Sequence, residues 1–537
     1  MQIAVLGGGL SGLSAAFSLS YRFPAAQVLL FEKSKRLGGW ARSEFADIHG
    51  RRVLLEGGPR TLRPQGAAVL ELIRHLGIEN ELITISKSSP AAKKRYVYIP
   101  PGQLRGVSGL NTVGLDLSSP LMKKFLWPTL RAPLRYFLRK DAQDGNDESI
   151  HSFASRILGE EMATAVGSAV LHGVYAADSR QLSAHSTLPF WSPKSRNQFL
   201  TNPHSTIESD VVQPLPNIGA LGETLKDVAV YSFKNGNETL TRALEQHLEQ
   251  RSNAHIFRES PILNLLMRKD HTYELSYLTT HKRSTFTAAN PTHVVSALPL
   301  PTFHAITQSK PTKDTSPYPT SANITTSLSS IPHLTTNTSS SVHVLNLVFP
   351  VPPSEIHPPG FGYLIPRPRE GYPSQASDEQ PGILGVVFDS CSTSQQDEPG
   401  MTPEEWYENG THTKVTVMLG GPYPLYIPST MPVSPPSSPH GNVEIPIHIR
   451  TILRHISKHL SRPLPDPIYY RLWRNDNCIP TYSIGHRERM REMQKVLRRD
   501  VSEGGWGGRV EVIGAGVSGV SVPDCVLAGR NAGLRWL

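Results

Sequence analysis

Cysteine is scarce: the 537 residues hold three, Cys391, Cys478 and Cys525. No two of them stand as CxxC, which argues against a zinc ribbon or a thioredoxin-like site. An odd, sparse set also speaks against a disulfide framework and fits a reducing compartment. Long apolar runs are missing too. No stretch approaches about twenty apolar residues, so no membrane-spanning helix is expected. Charged residues make up only 18% of the chain, below an average soluble domain. Nothing repeats with a solenoid or propeller period. The first strand begins at Gln2, which leaves no room for a cleavable presequence, so any organelle targeting would be internal.

The chain is long enough, with 38% hydrophobic residues, for a sizeable core and two or three domains. Its net charge of +9 and pI near 9.3 suit an anionic partner: nucleic acid, a membrane surface or an acidic substrate. The N-terminus reads as strand, turn, helix, strand. Ile3 to Leu6 and Val28 to Phe31 are apolar runs, and GLSAAFSLSYR between them is helical. Gly7, Gly9 and Gly12 then form GxGxxG after a strand and at the opening of a helix. There the first glycine makes the tight turn, the second admits a pyrophosphate and the third packs helix on strand. Glu32 closes the second strand, where a carboxylate binds ribose hydroxyls and repels a 2′-phosphate. A second element follows in EKSKRLGGWARS, with Arg36, Gly38, Gly39 and Arg42. A plain NAD domain has no use for it, whereas Arg42 is a cation suited to phosphate. A further helix is expected near Gly66 to Leu76, with Val69, Leu72, Ile73 and Leu76 on one face.

The far end repeats the theme. RVEVI, Arg509 to Ile513, reads as a strand, and a glycine-rich loop from Gly514 leads into a helix with Asp524 in its first turn, where the dipole favours a carboxylate. In between, LMKKFLWPTLRAPLRYFLRK, Leu121 to Lys140, mixes basic residues with Phe125, Trp127 and Phe137. It reads either as short helices with a solvated basic face or as an interfacial membrane patch. The stretches Thr312 to Ser341, Arg367 to Asp378, Ser392 to Glu404 and Ser429 to Gly441 are polar and rich in Ser, Thr or Pro. They read as surface insertions.

Taken together with EGGPRTLRP (Glu56 to Pro64), HGVYAADSRQLS (His172 to Ser183), GFGYLIP (Gly360 to Pro366), GILGVVFDS (Gly382 to Ser390), KVTVMLGG (Lys414 to Gly421) and NCIPTYSIGH (Asn477 to His486), these elements resemble the protoporphyrinogen oxidase family of flavin amine oxidoreductases. The resemblance implies an α/β fold: a Rossmann-type FAD-binding domain, a mixed-sheet substrate domain and a helical membrane-associating domain. On it, the FAD domain collects residues 1–86, 230–270 and 475–537, the substrate domain 87–110 and 271–474, and the helical domain 111–229. Non-covalent FAD would lie on Gly7, Gly8, Gly9, Leu10, Ser11, Gly12, Glu32, Lys33, Trp40, Arg42, Gly58, Pro59, Arg60, Thr61, Ile262, Val520, Ser521 and Val522. Arg95 matches the arginine that holds a substrate propionate, and Phe361, Gly362, Leu364, Val387 and Met418 match residues lining the macrocycle. No metal and no acid-base residue is implied, and His172 and His486 read as structural.

The implied reaction is oxidation of protoporphyrinogen IX in three two-electron steps to FAD, with molecular oxygen as acceptor and hydrogen peroxide formed. The implied setting is the mitochondrial inner membrane, with a membrane surface as partner. It leaves room for a ferrochelatase contact and a homodimer, and nucleic acid is not expected. Three other readings remain: an amine oxidase or carotenoid-type desaturase, which should lack GFGYLIP and NCIPTYSIGH; a flavin-bearing scaffold without turnover; and an NAD dehydrogenase, against which KRLGGW and the C-terminal segment argue.

Overall fold

A computed structural model describes residues 1–99, 103–106, 147–188, 217–279, 285–308, 330–435 and 443–537. The segment Leu121 to Lys140 and much of the expected helical domain lie outside the described residues.

The uninterrupted apolar runs at the N-terminus require cover on both faces, and they have it. Strands β1 (Gln2–Leu6), β2 (Gln27–Phe31), β9 (Ala254–Phe257), β13 (His293–Ser296) and β19 (Val510–Val512) form a parallel sheet in the order β19-β13-β1-β2-β9. Side chains alternate across it. Ile3, Val5, Val28, Leu30 and Val295 face a core shared with helices α1 (Leu10–Arg22), α2 (Ala67–Leu76), α4 (Glu238–Glu249) and α7 (Val522–Asn531). Ala4, Leu6, Leu29, Phe31 and Val294 face a second core, closed by an antiparallel sheet of β10 (Ile262–Met267), β11 (Tyr273–Thr279) and β12 (Thr285–Ala289) and by α6 (His486–Arg498). Strand β13 thus pairs with β1, within a stretch that the resemblance assigns to the substrate domain. Four residues of local pattern say "strand" but not which strand is the neighbour.

The other large sheet is mixed. Strands β6 (Tyr96–Ile99), β7 (Gln103–Gly106), β14 (Ser339–Phe349), β15 (Gly362–Leu364), β16 (Ile383–Val387), β17 (Thr413–Gly420) and β18 (Tyr469–Pro480) run in the order β18-β14-β17-β16-β15-β6-β7. Leu345, Leu347, Tyr363, Val386, Val417 and Leu419 on one face are sealed by Ile449, Ile452 and Ile456 of α5 (Ile447–Leu460). The opposite face carries Val344 and Trp473 and receives the hairpin β3 (Ser43–Ile48) and β4 (Arg51–Glu56), whose Ala46, Val53 and Leu55 pack on Val348. A small pair, β5 (Leu82–Ser86) and β8 (Val228–Phe233), joins the sealed core through Ile85 and Val230, and α3 (Ser168–Tyr175) stands over the opposite face, with Gly173 against Leu364. Among the described residues no helix is long and apolar enough to cross a membrane.

The polar stretch from Ser392 is not the surface insertion that its composition suggests. Ser392, Thr393, Ser394 and Gln396 are buried, and the Gln396 amide donates to the Phe233 carbonyl at 2.9 Å. Polarity here reflects internal hydrogen bonding rather than solvent.

Gly362 tests the packing of the large sheet. Its φ is +142°, and a Cβ there would lie 2.2 Å from the Val386 carbonyl oxygen. Gly362→Ala is expected to lower stability by about 1–3 kcal/mol in urea melts. Gly400→Ala, at a position with nothing within 4 Å, should change stability by less than about 0.5 kcal/mol.

Candidate active site

The glycine loop after β1 is built by close approach. A Cβ on Gly12 would lie 1.8 Å from the Gly7 carbonyl oxygen, so α1 sits directly on the turn, whereas Gly9 has nothing within 4 Å. Gly9 is the N-cap of α1, with no capping side chain and no acid in the first turn. Leu10 is half-buried and Ser11 buried there. The N–H groups of a first turn without a capping side chain are a ready anion site. Glu32 stands beside them: its carboxylate accepts from Gly8 N–H at 2.8 Å and Ser34 N–H at 2.9 Å. Past β9, Ser260 N–H donates to the Glu32 carbonyl at 2.8 Å. Ile262 follows, half-buried against the second core.

The second element docks on the first. Gly38 N–H donates to the Gly8 carbonyl at 2.8 Å. Arg36 spends its guanidinium on the carbonyls of Leu37, Gly39 and Ala41, so it shapes its own loop. Arg42 keeps a buried Nε with no hydrogen-bond partner and lies 5.8 Å from the Trp40 ring. Lys33 and Trp40 are exposed. From the C-terminal side, Val520 and Val522 are half-buried and Ser521 exposed. Ser521 caps α7 in a reciprocal bond with Asp524. An open helix N-terminus, an unpartnered arginine nitrogen and a fixed carboxylate fit a flavin adenine dinucleotide.

The turn Glu56–Gly58 is held from behind. Asn346 donates to the Glu56 carbonyl at 3.3 Å and Asn475 to the Gly57 carbonyl at 2.9 Å. Arg60 donates to the carbonyls of Glu56 and Gly58 at 3.2 and 3.4 Å, and its Nε lies 3.2 Å from Asp389. Asp389 also accepts from Thr416 at 2.6 Å. Lys414 donates to the Leu54 carbonyl at 2.7 Å and pairs with Asp397 at 2.7 Å, while Leu54 N–H donates to Asp397 at 2.8 Å. Pro59 and Thr61 are half-buried in this turn. Arg60 thus supports the loop from beneath.

Three buried carboxyls, Glu56, Asp389 and Asp397, here face two cations, Arg60 and Lys414. Burial raises all three acids. Glu56 is pushed up to about 7, against the pull of its bonds from Asn237 and Ser43 and of Arg60 and Lys414. The sequence reading missed Asp389, Lys414, Asn346, Asn475 and Asp397. Their one visible signal was a Lys and a Thr alternating with valines in KVTVMLGG.

The matched lining residues share the same face of the large sheet. Strand alternation puts Gly362, Leu364, Val387 and Met418 opposite the sealed core, since Tyr363, Val386, Val417 and Leu419 lie in it. Leu364, Val387 and Met418 are half-buried, and Leu364 packs against Gly173 of α3. Phe361 N–H donates to the Lys94 carbonyl at 2.9 Å, and the Arg95 guanidinium lies 5.5 Å from the Phe361 ring centre. His172 donates from Nδ1 to the Ile365 carbonyl and accepts at Nε2 from Tyr372, both at 2.7 Å. His486 donates to Val517 at 3.1 Å and accepts from Asn337 at 2.8 Å. Burial lowers both imidazoles to about 4. They are neutral and bonded at both nitrogens, hence structural.

Two expectations follow. A carboxyl raised to about 7 in the folded state and near 4.5 when free favours folding at low pH and loses that contribution as pH rises. The Glu56 contribution to apoprotein stability should therefore fall between pH 4.5 and 7, read in urea melts as the difference between wild type and Glu56→Gln across that range, since the buried histidines, lowered to about 4, act in the opposite sense. Lys414→Met leaves Asp397 buried without its cation and should cost about 3–5 kcal/mol in the same measurement at neutral pH.

The profile of flavin containing amine oxidoreductases matches residues 10–424. The protoporphyrinogen oxidase of Schizosaccharomyces pombe is 30% identical, with 99% of this chain and 97% of the relative covered. The human protoporphyrinogen oxidase is 29% identical, with 100% and 98% covered. Among solved structures, a protein from Exiguobacterium sp. 255-15 superposes with a TM-score of 0.65 at 19% identity, covering 99% of this chain and 97% of its own. Putrescine oxidase superposes with a TM-score of 0.58 at 12% identity over 100% and 98%. The chain belongs to the flavin-containing amine oxidoreductase family and, within it, to the protoporphyrinogen oxidases.

Proposed function

We propose that this chain oxidises protoporphyrinogen IX to protoporphyrin IX in three two-electron steps, with oxygen as final acceptor and hydrogen peroxide as its product. One observation carries the reading within the family: the matched apolar residues and the Glu56–Gly58 turn meet the same face of the large sheet. FAD, bound non-covalently along the two glycine elements and α7, supplies the redox chemistry by accepting the electrons of a transferred hydride.

The protein's own part is binding and orientation. Leu364, Val387 and Met418 offer an apolar wall to the macrocycle and exclude water from it. Phe361 and Arg95 stand together at one end, where a guanidinium receives a propionate bidentately. Neither His172 nor His486 has a ring nitrogen to spare for a substrate proton. The contribution to rate is then positioning.

The finer architecture belongs to the same proposal. The parallel order β19-β13-β1-β2-β9, with the glycine loop at the carboxyl end of β1, supports a Rossmann-type FAD domain. Basic and aromatic residues in Leu121 to Lys140 support attachment to an anionic membrane surface, here the inner mitochondrial membrane.

The test is aerobic oxidation of protoporphyrinogen IX by the full chain in detergent, read as porphyrin fluorescence and peroxide. Fluorescence should rise with peroxide, and Arg95→Ala should raise KM about tenfold. A yellow, FAD-loaded protein that leaves this substrate untouched would overturn the reading.

A further inference from the structure

Helix α4 opens on an asparagine that does not do what asparagine does at a helix start. Asn237 is the N-cap, yet its side chain caps nothing, although a capping oxygen there stabilises a helix. Its Oδ1 is buried with no hydrogen-bond partner among the described residues, which is unfavourable in itself. The amide is turned instead to the end of β4 and the loop after it. Nδ2 donates to the Pro59 carbonyl at 2.9 Å and to the Arg60 carbonyl at 2.6 Å, and the Asn237 N–H donates to Glu56 Oε1 at 2.8 Å. Asn237 thus forgoes a cap and holds this loop at three residues.

Glu238, one residue on, reaches the second glycine element. Its carboxylate accepts from Ser43 N–H at 2.9 Å, and its own N–H donates to Ser43 Oγ at 3.1 Å. Ser43 Oγ donates in turn to Glu56 Oε2 at 2.8 Å, and Arg36 stands 3.9 Å from Glu238 Oε1. Further along α4, a Cβ on Gly38 would lie 2.8 Å from Thr241 Oγ1. Gly236, with φ +79°, permits the close approach, since a Cβ there would lie 2.8 Å from Glu56 Oε1. Ser43, Glu56, Asn237, Glu238 and Thr241 are all buried. The helix that carries the last three is fixed on the parallel sheet through Leu240, Leu244 and Leu248.

Two adjacent residues at the start of one anchored helix therefore tie together the loop of Arg42 and the loop of Gly58 to Thr61. A dinucleotide that touches both loops binds best when their separation is fixed beforehand, because ordering them then takes nothing from the binding. We propose that Asn237 and Glu238 are positioning residues for FAD: they brace the 58–61 loop against the second glycine element, so that one dinucleotide meets both. The brace rests on the placement of FAD along these two loops.

The experiment pairs a flavin-fluorescence titration of FAD into the full apoprotein in detergent with hydrogen exchange read by mass spectrometry. In wild type, FAD should slow exchange in peptides covering 7–13 and in those covering 58–62. Asn237→Ala should weaken FAD about tenfold. At saturating FAD it should keep the protection at 7–13 and lose it at 58–62. Glu238→Ala should lose protection at 36–43 instead, and Glu238→Gln, which keeps an acceptor for Ser43 N–H, should recover most of the affinity. Asn235→Ala, at an exposed asparagine of the same turn, should match wild type. Wild-type affinity and protection in Asn237→Ala overturn the brace. So does an equal loss at 7–13 and 58–62, which marks a general role in folding, or a Glu238→Gln no better than Glu238→Ala. If FAD protects 7–13 but not 58–62 in wild type, the placement of FAD on the second loop falls, and the brace with it.

Discussion

The contact between the hairpin β3–β4 and the large sheet is a buried electrostatic junction, and the rest of the site hangs on it. Lys414 bridges the Asp397 carboxylate and the Leu54 carbonyl, while Leu54 N–H closes the triangle on Asp397. Arg60 and Asp389 form a second buried pair nearby. Taking such ions out of water costs several kcal/mol each, and only good geometry with further hydrogen bonds recovers it. An apolar interface of the same area would tolerate sliding. A charged one in a dry setting tolerates little, since each small displacement leaves an ion unpaired.

This matters because the hairpin ends in the turn Glu56–Gly58. Its three successive carbonyls are taken by Asn346, Asn475 and Arg60, two of which belong to the large sheet. The turn is consequently referenced to the apolar face carrying Leu364, Val387 and Met418. Sites that depend on orientation need their parts held within about half an ångström, and loops alone do not supply that. Here a loop borrows the rigidity of a sheet. The junction also holds one carboxyl more than it has cations, and Glu56 absorbs the excess by carrying a proton up to about 7.

Much of the parallel-sheet half was legible in the sequence, for a physical reason. A glycine required by close approach, such as Gly12 beneath Gly7, is a local demand, and so is a carboxylate at the end of the second strand. Both are written within a few residues of the feature they serve. Long-range facts are not. Nothing in HVVS names β1 as its partner, and nothing in Ser392 to Gln396 distinguishes a buried hydrogen-bonded plug from a solvated loop. Composition counts polar groups, whereas burial depends on whether those groups find partners. Lys414 and Thr416 were visible as odd residues in a valine strand, yet their meaning lay in Asp397 and Asp389, which are distant until the fold brings them together.

The distribution of charge around the candidate site follows from what the site has to hold. An apolar macrocycle is repelled by an unpaired ion in its slot, because desolvating that ion would cost more than the contact returns. The ionic groups accordingly stand to the side of the wall on the same sheet face, in the junction of Lys414, Arg60 and their carboxylates, or beside the Phe361 end, as with Arg95. The titratable side chains His172 and His486 are neutral and bonded at both nitrogens. A cofactor that carries the redox step leaves the protein free to adopt this plan, since no side chain then has to exchange a proton inside the slot. On the proposed reading the cations serve as fasteners or as handles for carboxylates, and the wall stays apolar.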